Sequence, residues 1–112
     1  MRKLLLVPVL AVATLAAAVP AALSARDVTI GDNYFVRPSG VPTVTVSKGT
    51  TVRWVWQGRS RHNVKVTQGP RKFGSSTKRT GTYSHKMTVR GTYTLICTVH
   101  GASDQKMKLV VK

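Results

Sequence analysis

The chain has 112 residues, 18 of them Lys or Arg against 3 Asp and no Glu, with a single cysteine and a formal charge of +15. That length holds one small domain, and one cysteine excludes both an intrachain disulfide framework and a four-cysteine zinc site. Hydrophobic residues at 42% are too many for a disordered basic tail, and so few carboxylates leave little for acid–base catalysis.

Arg2 and Lys3 open the chain, Leu4 to Ala18 is an almost wholly apolar run of 15 residues, Pro20 ends it, and small residues follow through Ala25. This is the three-part pattern of a secretory signal peptide over residues 1–25, cleaved after Ser24 or Ala25. The alternative is a retained anchor, but 15 residues fall short of the roughly 20 that a membrane span needs. The mature domain is then residues 26–112, with 16 basic and 3 acidic side chains and a charge of +13. Its expected place is the periplasm, the cell envelope or the medium.

From Val28 onward the apolar residues alternate with polar ones, the period of half-buried strands. Val28 and Ile30 begin the pattern; Val44 and Val46 continue it, then Val52, Trp54 and Trp56. His62 shares parity with Val64 and Val66, and Tyr83, His85, Met87 and Val89 form the next run. Tyr93, Leu95 and Cys97 follow, and Met107, Leu109 and Val111 end the chain. Gly31-Asp32-Asn33, Pro38-Ser39-Gly40, Lys48-Gly49 and Gln57-Gly58 read as turns, Arg90-Gly91 as a tight hairpin, and residues 68–80 as one long loop. The expected fold is all-β: a single Greek-key antiparallel sandwich of seven to eight short strands.

The parity places unusual residues inward. Cys97 ends one strand on the side of Tyr93 and Leu95, His62 stands on the side of two valines, and His100 follows Cys97 by three. One thiolate, two imidazoles and a weak fourth donor are the ligand set of a blue-copper electron-transfer centre. The thiolate bonds copper covalently, the imidazoles serve both Cu(I) and Cu(II), and a weak axial donor suits either geometry. Zinc accepts the same ligands, but with no acid or base beside it such a site has little chemistry to perform. His85, in mid-strand with no Cys or His beside it, is read as having no metal role; Trp54 is read as core, and Trp56 as packing near the site.

Arg53-Trp54-Val55-Trp56 and His62-Asn63-Val64, with Gly91-Thr92-Tyr93-Thr94-Leu95-Ile96-Cys97-Thr98-Val99-His100, resemble the small cupredoxins of the plastocyanin and amicyanin type. The resemblance spans essentially the whole mature chain. It implies one copper ion, with His62, Cys97 and His100 as equatorial ligands and Asn63 bracing the cysteine loop through Thr98. In that family the axial residue stands five after the second His and six before an inward valine; Gln105 meets both counts, the valine being Val111. Met107 is the alternative axial donor and the one methionine downstream, and core filling is its other reading. Asp104 ranks behind both, since a carboxylate suits Cu(I) poorly.

The expected function is that of an exported one-electron carrier, not an enzyme. It is expected to be monomeric and to meet a redox protein with an acidic docking surface, the uncharged Gly101 and Ala102 touching the partner beside the His100 edge. Arg71, Lys72, Lys78 and Arg79 are the candidate ring of charge around that contact. Two other classes fit parts of the pattern. A copper carrier or buffer has the same ligands without a redox partner. A basic sandwich that binds an anionic polymer needs the charge alone; with no aromatic stacking platform, nucleic acid is not expected as a partner.

Overall fold

The computed structural model describes residues 24–112. The signal segment expected over residues 1–25 lies outside the described residues except for its last two, and β1 begins at Ala25. Eight strands follow: β1 (Ala25–Gly31), β2 (Tyr34–Phe35), β3 (Thr43–Val46), β4 (Thr51–Trp56), β5 (Lys65–Gln68), β6 (Thr82–Lys86), β7 (Gly91–Ile96) and β8 (Lys106–Val111). They form two four-stranded sheets, in the orders β2-β1-β4-β6 and β3-β8-β7-β5.

The alternation seen in the sequence becomes the layer between the sheets. Val28 and Ile30 of β1 and Val52, Trp54 and Trp56 of β4 bury against Tyr93 and Leu95 of β7 and Met107, Leu109 and Val111 of β8. Each fully buried large apolar side chain contributes roughly 1.5–3 kcal/mol, so this one layer supplies most of the driving force. Trp54 is completely buried, beneath Phe73 from the long loop and Tyr83 of β6 at ring separations of 6.1 and 5.8 Å.

The sandwich expected from the sequence is present, but its sheets are mixed. β1 runs parallel to β4, with Val28 opposite Trp54, and β3 runs parallel to β8, with Val44 opposite Leu109. Period-two alternation tells which face a side chain takes and carries no information on strand direction. Arg90-Gly91 is likewise no hairpin: β6 belongs to one sheet and β7 to the other, so the chain crosses the sandwich there and buries Met87 on the way.

The ends of four strands gather at one end of the sandwich. Ile30 pairs with Trp56 where β1 and β4 finish, and Ile96 pairs with Lys106 where β7 finishes and β8 begins. The chemistry-bearing side chains lie in the loops that leave these ends.

Candidate metal centre

His62 lies between β4 and β5, held by an isolated antiparallel bridge to Lys78. The two residues exchange backbone hydrogen bonds of 2.9 and 3.0 Å. Trp56 donates its indole N–H to the His62 carbonyl at 3.1 Å, so the second tryptophan is a support for this histidine as well as core. The extended run expected through His62 thus becomes a regular strand only from Lys65.

Cys97, His100 and Gln105 all come from the loop that joins β7 to β8. That loop closes on itself. Gly101 N–H donates to the Cys97 carbonyl at 2.9 Å, Gln105 N–H to the Gly101 carbonyl at 3.0 Å, and Cys97 N–H to the Gln105 carbonyl at 3.1 Å. Gly101 takes φ +84°, a left-handed conformation that costs glycine least. Asn63 ties the loop down. Its side-chain oxygen accepts from Thr98 N–H at 2.9 Å, and its amide donates to the Thr98 hydroxyl at 2.7 Å and the Thr77 hydroxyl at 2.8 Å. Asn63 N–H points at the Cys97 sulfur, 3.5 Å away.

Four donor atoms converge in this frame. Cys97 Sγ lies 3.6 Å from His100 Nδ1 and 3.9 Å from His62 Nδ1. Gln105 Oε1 is 3.0 Å from His62 Nδ1 and 3.1 Å from His100 Nδ1. The ligand atoms of His62, Cys97 and His100 all lie within 4.8 Å of one another, and among the described residues this is the one such group of His, Cys, Asp and Glu side chains. His62, Cys97 and Gln105 are fully buried, while His100 keeps an edge toward solvent.

The Gln105 amide is oriented by its other end. Its nitrogen donates to the Gly31 carbonyl at 3.0 Å and to the Tyr34 carbonyl at 2.8 Å. An amide nitrogen has two hydrogens to give, and with both taken by the β1–β2 turn the oxygen faces the imidazoles. Met107 lies inside β8 opposite Leu95 and belongs to the hydrophobic core. Asp104 is exposed. His85 stands apart from the cluster, its ring stacked on Phe73 at 3.9 Å.

One residue of the site escapes sequence reasoning. Asp32, in the turn after β1, places its carboxylate 2.8 Å from His62 Nε2. That contact, with backbone N–H donors from Ser60 and Arg59, holds the carboxyl well below the usual range. Nothing in Gly31-Asp32-Asn33 distinguishes it from an ordinary turn; the scarcity of acids was the one available signal.

The charged loop divides between the two ends of the sandwich. Lys78 pairs with His62, and the Arg79 guanidinium lies 3.5 Å from the Arg59 carbonyl. Arg71 and Lys72 follow Pro70, whose ring abuts Gly91 at the far end of β7. The expected four-residue ring is therefore split, and only Lys78 and Arg79 stand beside the site.

The donor chemistry fits copper: two imidazole nitrogens, one sulfur and one amide oxygen, with no inward carboxylate. The family model for copper binding proteins, plastocyanin/azurin family, matches residues 38–112. Solved structures agree. An oxidised proline-to-glycine mutant of amicyanin is 30% identical with a TM-score of 0.64, covering 86% of this chain and 88% of that one. A Cu(I) methionine-to-glutamine mutant of amicyanin is 28% identical with a TM-score of 0.65, covering 84% of this chain and 90% of that one. A Cu-containing nitrite reductase from Thermus scotoductus SA-01 shares the fold at 24% identity and a TM-score of 0.65, over 78% of this chain and 22% of that one. Comparison with curated protein sequences gives no match.

Proposed function

The chain belongs to the plastocyanin/azurin family of copper-binding proteins, and from that membership we propose that it is an exported type 1 copper protein that carries single electrons between redox partners. The observation that carries this reading is the convergence of His62 Nδ1, Cys97 Sγ, His100 Nδ1 and Gln105 Oε1 at the end of the sandwich. Copper held there supplies a reversible Cu(II)/Cu(I) couple. His62, Cys97 and His100 would hold the ion and Gln105 would add a weak fourth donor, with Met107 filling core beneath it.

The protein's own part is rigidity. The closed Cys97–Gln105 loop, the Asn63 brace and the two carbonyls that hold Gln105 keep the donors in place, so that little moves when charge changes. His100 is the exit, because its edge reaches solvent while His62 is buried. Beside it Val99 is 51% exposed and Gly101 and Ala102 are uncharged, which makes a small apolar contact for a partner, with Lys78 and Arg79 on the neighbouring loop. A basic surface suits an acidic redox protein and a brief encounter with a monomeric carrier. Residues 1–25 direct export and residues 26–112 are the carrier. Three Asp and no Glu leave little for acid–base catalysis, which supports a carrier over an enzyme.

Cu(II) added to the mature protein is expected to give an intense thiolate-to-copper absorption band that ascorbate bleaches reversibly. Cys97→Ser should abolish the band and leave the sandwich folded by circular dichroism. Stoichiometric copper without colour in the wild type would overturn the reading. Colour that is lost on reduction together with the metal would instead mark a copper buffer.

A further inference from the structure

We propose that Asp32 is a positioning residue for His62 that biases the centre toward Cu(II), an inference that rests on the copper-carrier reading above. The carboxylate is the focus of a built site. Its Oδ1 accepts from His62 Nε2 at 2.8 Å and from the Ser60 hydroxyl at 2.9 Å; the Ser60 N–H reaches it at 3.1 Å and the Arg59 N–H reaches both oxygens at 3.0 Å. The loop between β4 and His62 thus wraps the carboxylate, although the residue is 45% exposed on its other side.

Space for it comes from Gly58. A Cβ at that position would lie 2.2 Å from Asp32 Oδ1, 2.8 Å from its Cγ and 2.9 Å from its backbone nitrogen. No side chain fits there without moving Asp32. The other two acids do different work: Asp27 is bound by Arg53 on an outer face at 2.7 Å, and Asp104 is exposed in the ligand loop.

The chemistry follows from what each atom can do. An ionised carboxylate only accepts, so Nε2 keeps its hydrogen and Nδ1, facing Cys97 and Gln105, is the nitrogen whose lone pair is free for a metal. A negative partner on the remote nitrogen also raises the donor strength of the ring, and partners of this kind are worth about 10–100-fold in metal affinity. The more highly charged Cu(II) gains more from it than Cu(I).

The test compares wild type with Asp32→Asn, Gly58→Ala and the charge-matched control Asp27→Asn, using reduction potentials and the His62 Nε2–H proton in NMR spectra. Asp32→Asn keeps an acceptor but loses the charge. It should retain the slowly exchanging Nε2–H, weaken Cu(II) binding about tenfold and, because Cu(I) loses less, raise the potential by up to about 59 mV for one electron. Gly58→Ala, by displacing the carboxylate, should raise the potential and also expose the proton to exchange. Asp27→Asn should change neither. Potentials that move equally in Asp32→Asn and Asp27→Asn would reduce Asp32 to one charge among many and overturn the proposal, as would an Nε2–H that exchanges fast in the wild type. If the wild type takes up copper without a blue band, the carrier reading has failed instead. The Nε2–H of the metal-free protein then still decides whether Asp32 holds the ring.

Discussion

Gln105 is the fourth donor of the proposed centre, an oxygen in place of a thioether. Its oxygen lies about equally far from the two imidazole nitrogens, at 3.0 and 3.1 Å, and its nitrogen is spent on two backbone carbonyls. Gln105→Met is therefore expected to act twice. A softer donor favours Cu(I) and should raise the reduction potential. The Gly31 and Tyr34 carbonyls each lose a hydrogen bond, at a net cost of about 0.5–1.5 kcal/mol apiece, which should lower the denaturant midpoint. Met107→Leu is a near volume-conserving core change and should cost under about 1.5 kcal/mol while leaving the spectrum and potential in place. A shift of both in Met107→Leu, with Gln105→Ala silent, would reverse the axial assignment. Parity and spacing brought Gln105 into view beside the two imidazoles, because residues on strand ends and short loops keep a sequence signature. Asp32 has none: it meets His62 across 30 residues, through a contact that exists only once β1 and β4 lie side by side.

The long loop shows the same limit for elements. From sequence it is a polar connection between alternating runs. In the fold it is a cover, with Phe73 stacked on His85 of β6 at 3.9 Å and packed near Trp54 and Tyr93, and with Thr77 bonded to the Asn63 brace. The strands were legible because each buries one face; the pairing order and the crossover at Gly91 were not, because they depend on which sheet each strand joins. The cover has a pH consequence. Partial burial lowers the pKa of His85 from its ordinary 6.5, since desolvation disfavours the charged imidazolium. The unfolded chain then takes up the proton first as pH falls. The stabilising contribution is complete above about pH 6.5, declines as pH drops through the interval down to the lowered folded value, and is level below it. Denaturant unfolding of the metal-free wild type should therefore lose stability relative to His85→Gln as pH is taken from 7.5 to about 5. Parallel profiles would show that the imidazole is as free to charge in the fold as in the unfolded chain.

At the scale of the whole molecule the dominant fact is charge, +13 over residues 26–112, and its placement matters more than its sum. Arg61 and Arg79 flank the paired residues His62 and Lys78 at the metal end and are exposed. Arg71 follows Pro70, whose ring lies against Gly91 at the start of β7, and Cys97 lies six residues beyond Gly91. At about 3.3 Å per strand residue that is roughly 20 Å, more than twice the Debye length of about 8 Å at physiological ionic strength. Charges that far from the contact are screened from a partner docked over His100, while those beside it are not. The bimolecular electron-transfer rate with an acidic redox protein should therefore fall steeply as salt is raised toward physiological levels. Arg61→Glu with Arg79→Glu should flatten that dependence, and Arg71→Glu with Arg90→Glu, an identical change in net charge beside the start of β7, should leave most of it. Equal flattening by the two pairs would mean that net charge alone steers the encounter. A rate indifferent to salt in the wild type would assign the basic surface to something other than the redox partner, such as retention on an anionic envelope.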